Sequence, residues 1–229
     1  MNNRSLHHRF IVFDLDGTLV DSQHTIVHCM GRAFAADGLA APDAKAVRGI
    51  IGLKLEVAVN ALLPESDEAR AGRVADHYRV FFNERLSQPD HEEPLFEGAR
   101  EALAALNQPE VRLGIATGKG RNGLLRVLRR HGLEQLFANL KTADDGPSKP
   151  HPQILQEAMA EVGAVPEETV VIGDTAFDVQ MARNAGCDAI GVDWGYHDRQ
   201  QLYAAGAGLV IDHFSDLEPA LAGFAGVQR

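Results

Sequence analysis

Residues 10–22 constrain the chain most. Phe10-Ile11-Val12-Phe13 is an unbroken apolar run of two aromatic and two β-branched residues, followed at once by Asp14-Leu15-Asp16-Gly17-Thr18. Such a run reads as a short strand buried on both faces, as strands of a parallel sheet are. In an open α/β sheet, ligands bind just beyond the C-terminal ends of the strands, so Asp14 and Asp16 stand where a ligand would sit. Gly17 permits a backbone turn that residues with a Cβ resist. Two carboxylates this close repel unless one is protonated or a cation lies between them. A hard, oxygen-seeking cation such as Mg²⁺ is the natural neutraliser. A strand followed by a solvated acidic turn would carry the same residues, and the remaining chain decides between the two.

Across 229 residues, Asp and Glu number 32 against 22 Lys and Arg, a formal net charge of −10. That excludes a general nucleic-acid binder, which would present a basic face. It leaves room for an anionic small substrate, because a local cluster of cations overrides the global sign. Cys29 and Cys187 match neither a metal spacing nor a disulfide framework, and read as buried thiols in a reducing compartment. The polar stretch 1–9 has no apolar segment of a secretory signal, and no apolar run is long enough to span a bilayer. The expected address is the cytoplasm, with no membrane partner.

Downstream, the period turns helical. Ile26, Val27, Met30, Ala33 and Phe34 share a face before Gly38, and Pro42-Asp43 opens a second helix. A third runs through Leu55, Val59 and Leu62 to Pro64, and a fourth spans about 66–86. Arg48-Gly49-Ile50-Ile51-Gly52 interrupts the helical run, and 21–91 holds no strand. The stretch 94–98 reads as a re-entry loop, followed by a short helix with Leu103 and Leu106. Strands are then expected at 111–116, just before 141–145, at 169–172, 189–192 and 209–211, with helices through Leu124 and Leu128, through Ile154 and Val162, and up to Gly186, and a terminal helix over 215–229. Strands alternating with helices mean a parallel sheet with right-handed crossovers. The fold class is α/β: a doubly wound, Rossmann-like core of residues 1–20 and 92–229, with an inserted all-α cap over 21–91.

Four strand ends carry polar signals: Asp14-x-Asp16-Gly17-Thr18, Ala116-Thr117-Gly118, Lys149-Pro150, and Gly173-Asp174-x-x-x-Asp178. A parallel sheet brings all four to one edge. In this order they resemble the four motifs of the haloacid dehalogenase-like hydrolase superfamily, over essentially the whole chain. Leu19-Val20-Asp21-Ser22 and Ser148-Lys149-Pro150-His151-Pro152 look like its phosphoglycolate phosphatase branch. The acidic run 90–98 departs from that branch's usual pattern.

The resemblance implies a Mg²⁺-dependent phosphatase acting on a small phosphorylated metabolite, 2-phosphoglycolate by subfamily likeness, as a monomer or homodimer. Asp14 would be the nucleophile, forming an aspartyl phosphate. Asp16 would protonate the leaving alcohol and then activate the hydrolytic water. Its backbone carbonyl, with Asp14 and Asp174, would hold the metal. Thr117 and Gly118 suit phosphate oxygens, although a Thr there serves equally as a helix cap. Lys149 would offset charge on the nucleophile and phosphoryl group. Asp178, one helical turn after Asp174, would orient Lys149 or a metal-bound water. Thr18 stabilises its motif, Lys119 reads as a solvated neighbour, and Trp194 reads as core or hinge packing. Arg48, Lys54, Tyr78 and Arg79 of the cap could reach a substrate or lie solvated. Three other functions fit the same fold: a sugar-phosphate mutase, which returns the phosphate to its substrate; a haloacid dehalogenase, which needs no metal; and a non-catalytic binding protein.

Overall fold

The computed structural model describes residues 7–223. Strand β1 (Phe10–Phe13) leads into four helices, α1 (Gln23–Ala36), α2 (Ala44–Arg48), α3 (Leu55–Leu62) and α4 (Glu68–Leu86). Next come α5 (Ala99–Leu106), β2 (Arg112–Ala116), α6 (Arg121–His131), β3 (Phe137–Lys141) and α7 (Gln153–Val162). The chain continues through β4 (Thr169–Gly173), α8 (Ala176–Asn184), β5 (Asp188–Val192), α9 (Arg199–Ala205), β6 (Leu209–Ile211) and α10 (Leu217–Gly223). The terminal helix expected over 215–229 is present as α10, and the remainder of that expectation lies outside the described residues. The expected stretch 1–9 likewise lies largely outside them.

The six strands form one sheet in the order β3-β2-β1-β4-β5-β6, and every pairing is parallel. The chain winds outward from β1 on one side, then restarts beside β1 with β4, so the topological switch lies at β1. This puts the end of β1 at the crevice where such folds bind ligands. The sheet is buried on both faces as the apolar run requires. Ile11 and Phe13 pack with Leu103, Leu124 and Leu217 on one face. Phe10 and Val12 pack with Leu155, Val179 and Leu202 on the other.

Helices α1 to α4 build a core of their own around Cys29, Met30, Phe34, Val59 and Val74. Asp43 caps α2 by accepting from the Lys45 and Ala46 amides, and Asp67 caps α4 by accepting from that of Arg70. Such caps satisfy donors that the first helical turn leaves unpaired. The two chain crossings between this helical unit and the sheet run side by side. The Asp21 amide donates to the Pro94 carbonyl at 2.9 Å and that of Phe96 to Leu19 at 3.0 Å. No helix among the described residues is long and apolar enough to cross a membrane. Both cysteines are buried, and neither is in a disulfide among the described residues.

Helix α9 was not foreseen from the sequence. Only Leu202 of its residues is buried, so it carries no apolar period. It is defined instead by a capping box in which Asp198 and Gln201 satisfy each other's amides.

Candidate active site

Asp14 stands one residue beyond β1, its amide still donating to the Ile172 carbonyl of β4 at 2.9 Å. It is 1% exposed. The loop after β3 and the N-terminus of α8 close around it. Lys149 Nζ donates to Asp14 Oδ1 at 2.7 Å and to Asp178 Oδ1 at 2.6 Å, all three side chains being buried. The other oxygen of Asp178, Oδ2, accepts from the Thr175 hydroxyl at 2.6 Å and the Thr175 amide at 3.1 Å. Both Asp178 oxygens are therefore engaged, and its geometry is that of a support for Lys149.

Asp174, at the end of β4, is anchored from two sides. Its Oδ1 accepts from the Thr18 hydroxyl at 2.8 Å and its Oδ2 from the Tyr196 amide at 3.0 Å. Gly17, at φ +93°, makes this approach possible, since a Cβ there would fall 2.3 Å from Asp174 Oδ2. Trp194 donates its indole N–H to the Thr18 carbonyl and packs at a tilt against the Phe214 ring, a packing role.

Asp16 faces the helical unit. Its Oδ1 accepts from the Ser22 hydroxyl at 2.6 Å, and Lys119 Nζ lies 3.1 Å away. This corrects the expectation of a solvated Lys119. The side chain is 10% exposed, its ammonium also lies 3.8 Å from Glu93 Oε1, and it stands 5.0 Å from the centre of the Phe82 ring. Gly123 leaves room for its stem, and two carboxylates attract its charge. Burial works against that charge, but Asp16 and Glu93 outweigh it and hold the ammonium above its ordinary pKa. The sequence gives no individual role to Ser22, which appears only within its motif, or to Glu93. Glu93 belongs to the acidic run that departs from the branch pattern, which was the available signal.

Thr117 is buried at the end of β2, and its hydroxyl oxygen accepts from the Lys119 amide at 3.2 Å. It does not cap the following helix, whose N-cap is Gly120. A Cβ on Gly118 would lie 2.4 Å from the Gly52 carbonyl oxygen, so sheet loop and helical unit touch backbone to backbone here. Between them lies a cavity of about 500 Å³, reaching from Asp16 and Gly118 to Lys54, Tyr78 and Arg79. Arg48 lies outside its wall.

The electrostatics of the sheet edge favour a further cation. Burial pushes the Asp14 carboxyl up to about 7; Lys149 opposes this, while Asp178 and Asp16 add to it. Asp174 is driven well above the usual carboxylate range by burial first, and by the charges of Asp178 and Asp14 next. Lys149 is held above its ordinary value because Asp14 and Asp178 outweigh its burial. Carboxylate oxygens of Asp14, Asp174 and Asp178 lie within 4.8 Å of one another, and the Lys149 ammonium pairs with Asp14 and Asp178 but not with Asp174. Asp14 Oδ2 is buried with no hydrogen-bond partner. An orphaned carboxylate oxygen beside a second carboxylate is the donor set a hard divalent ion takes.

The comparisons agree with this geometry. The sequence profile of the haloacid dehalogenase-like hydrolases matches residues 11–192. The chain is 37% identical over 210 residues to "Probable phosphatase IndB" of Dickeya dadantii, covering 90% of each protein. It is 30% identical over 217 residues to a phosphoglycolate phosphatase of Photobacterium profundum, covering 91% of this chain and 93% of that one. The crystal structure of a hydrolase from Pseudomonas syringae superposes with a TM-score of 0.84 at 27% identity, covering 96% of this chain and all of the other. The four sheet-edge motifs, the parallel fold and these relatives agree: the chain belongs to the haloacid dehalogenase-like hydrolase family, in its phosphoglycolate phosphatase-like branch.

Proposed function

We propose that this hydrolase is a Mg²⁺-dependent phosphatase that cleaves a small phosphomonoester through a phosphorylated Asp14, with 2-phosphoglycolate its best candidate substrate. The observation that carries the reading is the shared ammonium: Lys149 bridges Asp14 and Asp178, while Asp14 Oδ2 remains free beside Asp174. The substrate is the one acted on by relatives such as that of Photobacterium profundum.

One carboxylate oxygen of Asp14 attacks phosphorus, forming a P–O bond as the ester P–O bond breaks, while the other stays available to the metal. Asp16, on the cavity side, gives a proton to the departing alkoxide. The same carboxylate then takes a proton from the water that attacks the aspartyl phosphate, and the bond to Asp14 breaks to release inorganic phosphate. Lys149, fixed by Asp178, faces the negative charge that develops on the transferred group. The Thr117 hydroxyl and the Gly118 amide take phosphoryl oxygens. Asp14, Asp174 and the Asp16 carbonyl would hold Mg²⁺, which supplies charge neutralisation for carboxylates and phosphate together. The helical unit over 21–91 acts as a cap that excludes water and selects substrate.

Phosphate release from a panel of phosphorylated metabolites, with Mg²⁺ or with a chelator, tests the reading. Mg²⁺-dependent release led by 2-phosphoglycolate is expected, and release unaffected by the chelator would overturn the metal requirement.

A further inference from the structure

The cavity under the helical unit extends beyond Asp16 to helix α6 of the sheet domain. At about 500 Å³ it is a ligand-sized space, with room past the phosphoryl group for the rest of a small metabolite. Five cationic side chains line it, Lys54, Arg79, Lys119, Arg121 and Arg126, against the three carboxylates Asp16, Glu56 and Asp144. This cationic surplus occurs in a chain of formal net charge −10. Three of the five have partners: Arg79 is held by Glu56 and Asp76, Arg121 by Asp145, and Lys119 by Asp16 and Glu93. Arg126 differs. No carboxylate pairs with it among the described residues, and its Nε is buried without a hydrogen-bond partner. A guanidinium N–H withdrawn from water gains an acceptor only when one enters the cavity, and a carboxylate or phosphate fits its fork bidentately.

Resting on the phosphatase reading above, we propose that Arg126 is a specificity-determining residue whose guanidinium takes a second anionic group on the alcohol portion of the substrate. The preferred substrate is then a phosphomonoester that carries a further carboxylate or phosphate. Arg126 lies on α6, outside the helical unit.

The test compares kcat/KM, with Mg²⁺, for 2-phosphoglycolate, ethylene glycol bisphosphate and ethyl phosphate, which carry a carboxylate, a second phosphate and no further charge. Arg126→Gln is expected to lower the ratio of the preferred anionic ester to ethyl phosphate by about 10–100-fold, with Arg126→Lys restoring part of it. The anion whose ratio falls is the one bound. Ratios that stay within about twofold for both anionic esters would overturn the proposal. Calorimetric titration with 3-phosphonopropionate and propylphosphonate reads the same contact without turnover. The unaltered chain should bind the carboxylate-bearing phosphonate about tenfold tighter, and Arg126→Gln should lose that margin; equal affinities for both in the unaltered chain would contradict carboxylate recognition. A chain that hydrolyses none of the esters would refute the phosphatase reading, and the titration would then decide the role of Arg126 by itself.

Discussion

Lys149 and Asp178 form a 2.6 Å ion pair buried at the sheet edge, and the same ammonium reaches Asp14 at 2.7 Å. Asp178 is itself fixed by the Thr175 hydroxyl and amide, so a helix cap sets the position of a cation. Replacing Asp178 by Asn keeps the shape and removes the charge that holds Lys149. We expect kcat to fall by roughly 10–100-fold with KM little changed, because the loss is in charge placement at the transition state. Lys149→Met removes the cation itself and should cost at least about 10³-fold in kcat. Steady-state kinetics with Mg²⁺ checks both.

The Asp14 carboxyl, raised to about 7 by burial against an unfolded value near 4, makes stability depend on pH. Between about pH 4 and pH 7 the folded chain keeps a proton that the unfolded chain has released, so stability falls as pH rises. In chelator, the wild type should lose about 2–3 kcal/mol relative to Asp14→Asn between pH 5 and pH 7. Added Mg²⁺ should flatten that slope. Urea titrations at the two pH values measure it.

Gly118 and Gly52 meet where the β2 loop touches the helical unit. Gly118→Ala forces a methyl group against the Gly52 carbonyl, and a backbone atom cannot swing aside as a flexible side chain does. The expected cost is about 1–3 kcal/mol of stability, with a marked rise in KM as the two parts are pushed apart. Thermal unfolding and kinetics read the two effects.

Much of this was legible in the sequence, because the informative residues sit where two local signals change together. The apolar run of β1 and the acid pair after it marked the sheet edge, and β2 with Thr117-Gly118 and β4 with Gly173-Asp174 repeated that pattern. Lys119 was not legible. A lysine after a glycine is ordinarily solvated, and its burial depends on Asp16 and Glu93, which lie over 100 residues and 26 residues away in the chain. Arg126 escaped for a related reason: its helix face looks amphipathic and ordinary, and only the cavity reveals which arginine lacks a partner. Long-range pairing of charges has no periodicity to read.

The buried Lys119 contact carries its own test. Lys119→Met leaves Glu93 buried beside an apolar side chain and should cost about 3 kcal/mol. A lysine in solvent would cost less than about 0.5 kcal/mol. Adding Glu93→Gln should restore part of the loss, a coupling that a double-mutant cycle in urea unfolding detects.

The covalent role of Asp14 is the central claim, and peptide mass spectrometry of the enzyme acid-quenched during turnover addresses it most directly. The account predicts one hydroxylamine-labile phosphoryl group on the peptide that carries Asp14, absent from Asp14→Asn, which folds but does not turn over. Phosphate release by Asp14→Asn at the wild-type rate, or a phosphoryl group confined to another residue, would contradict it.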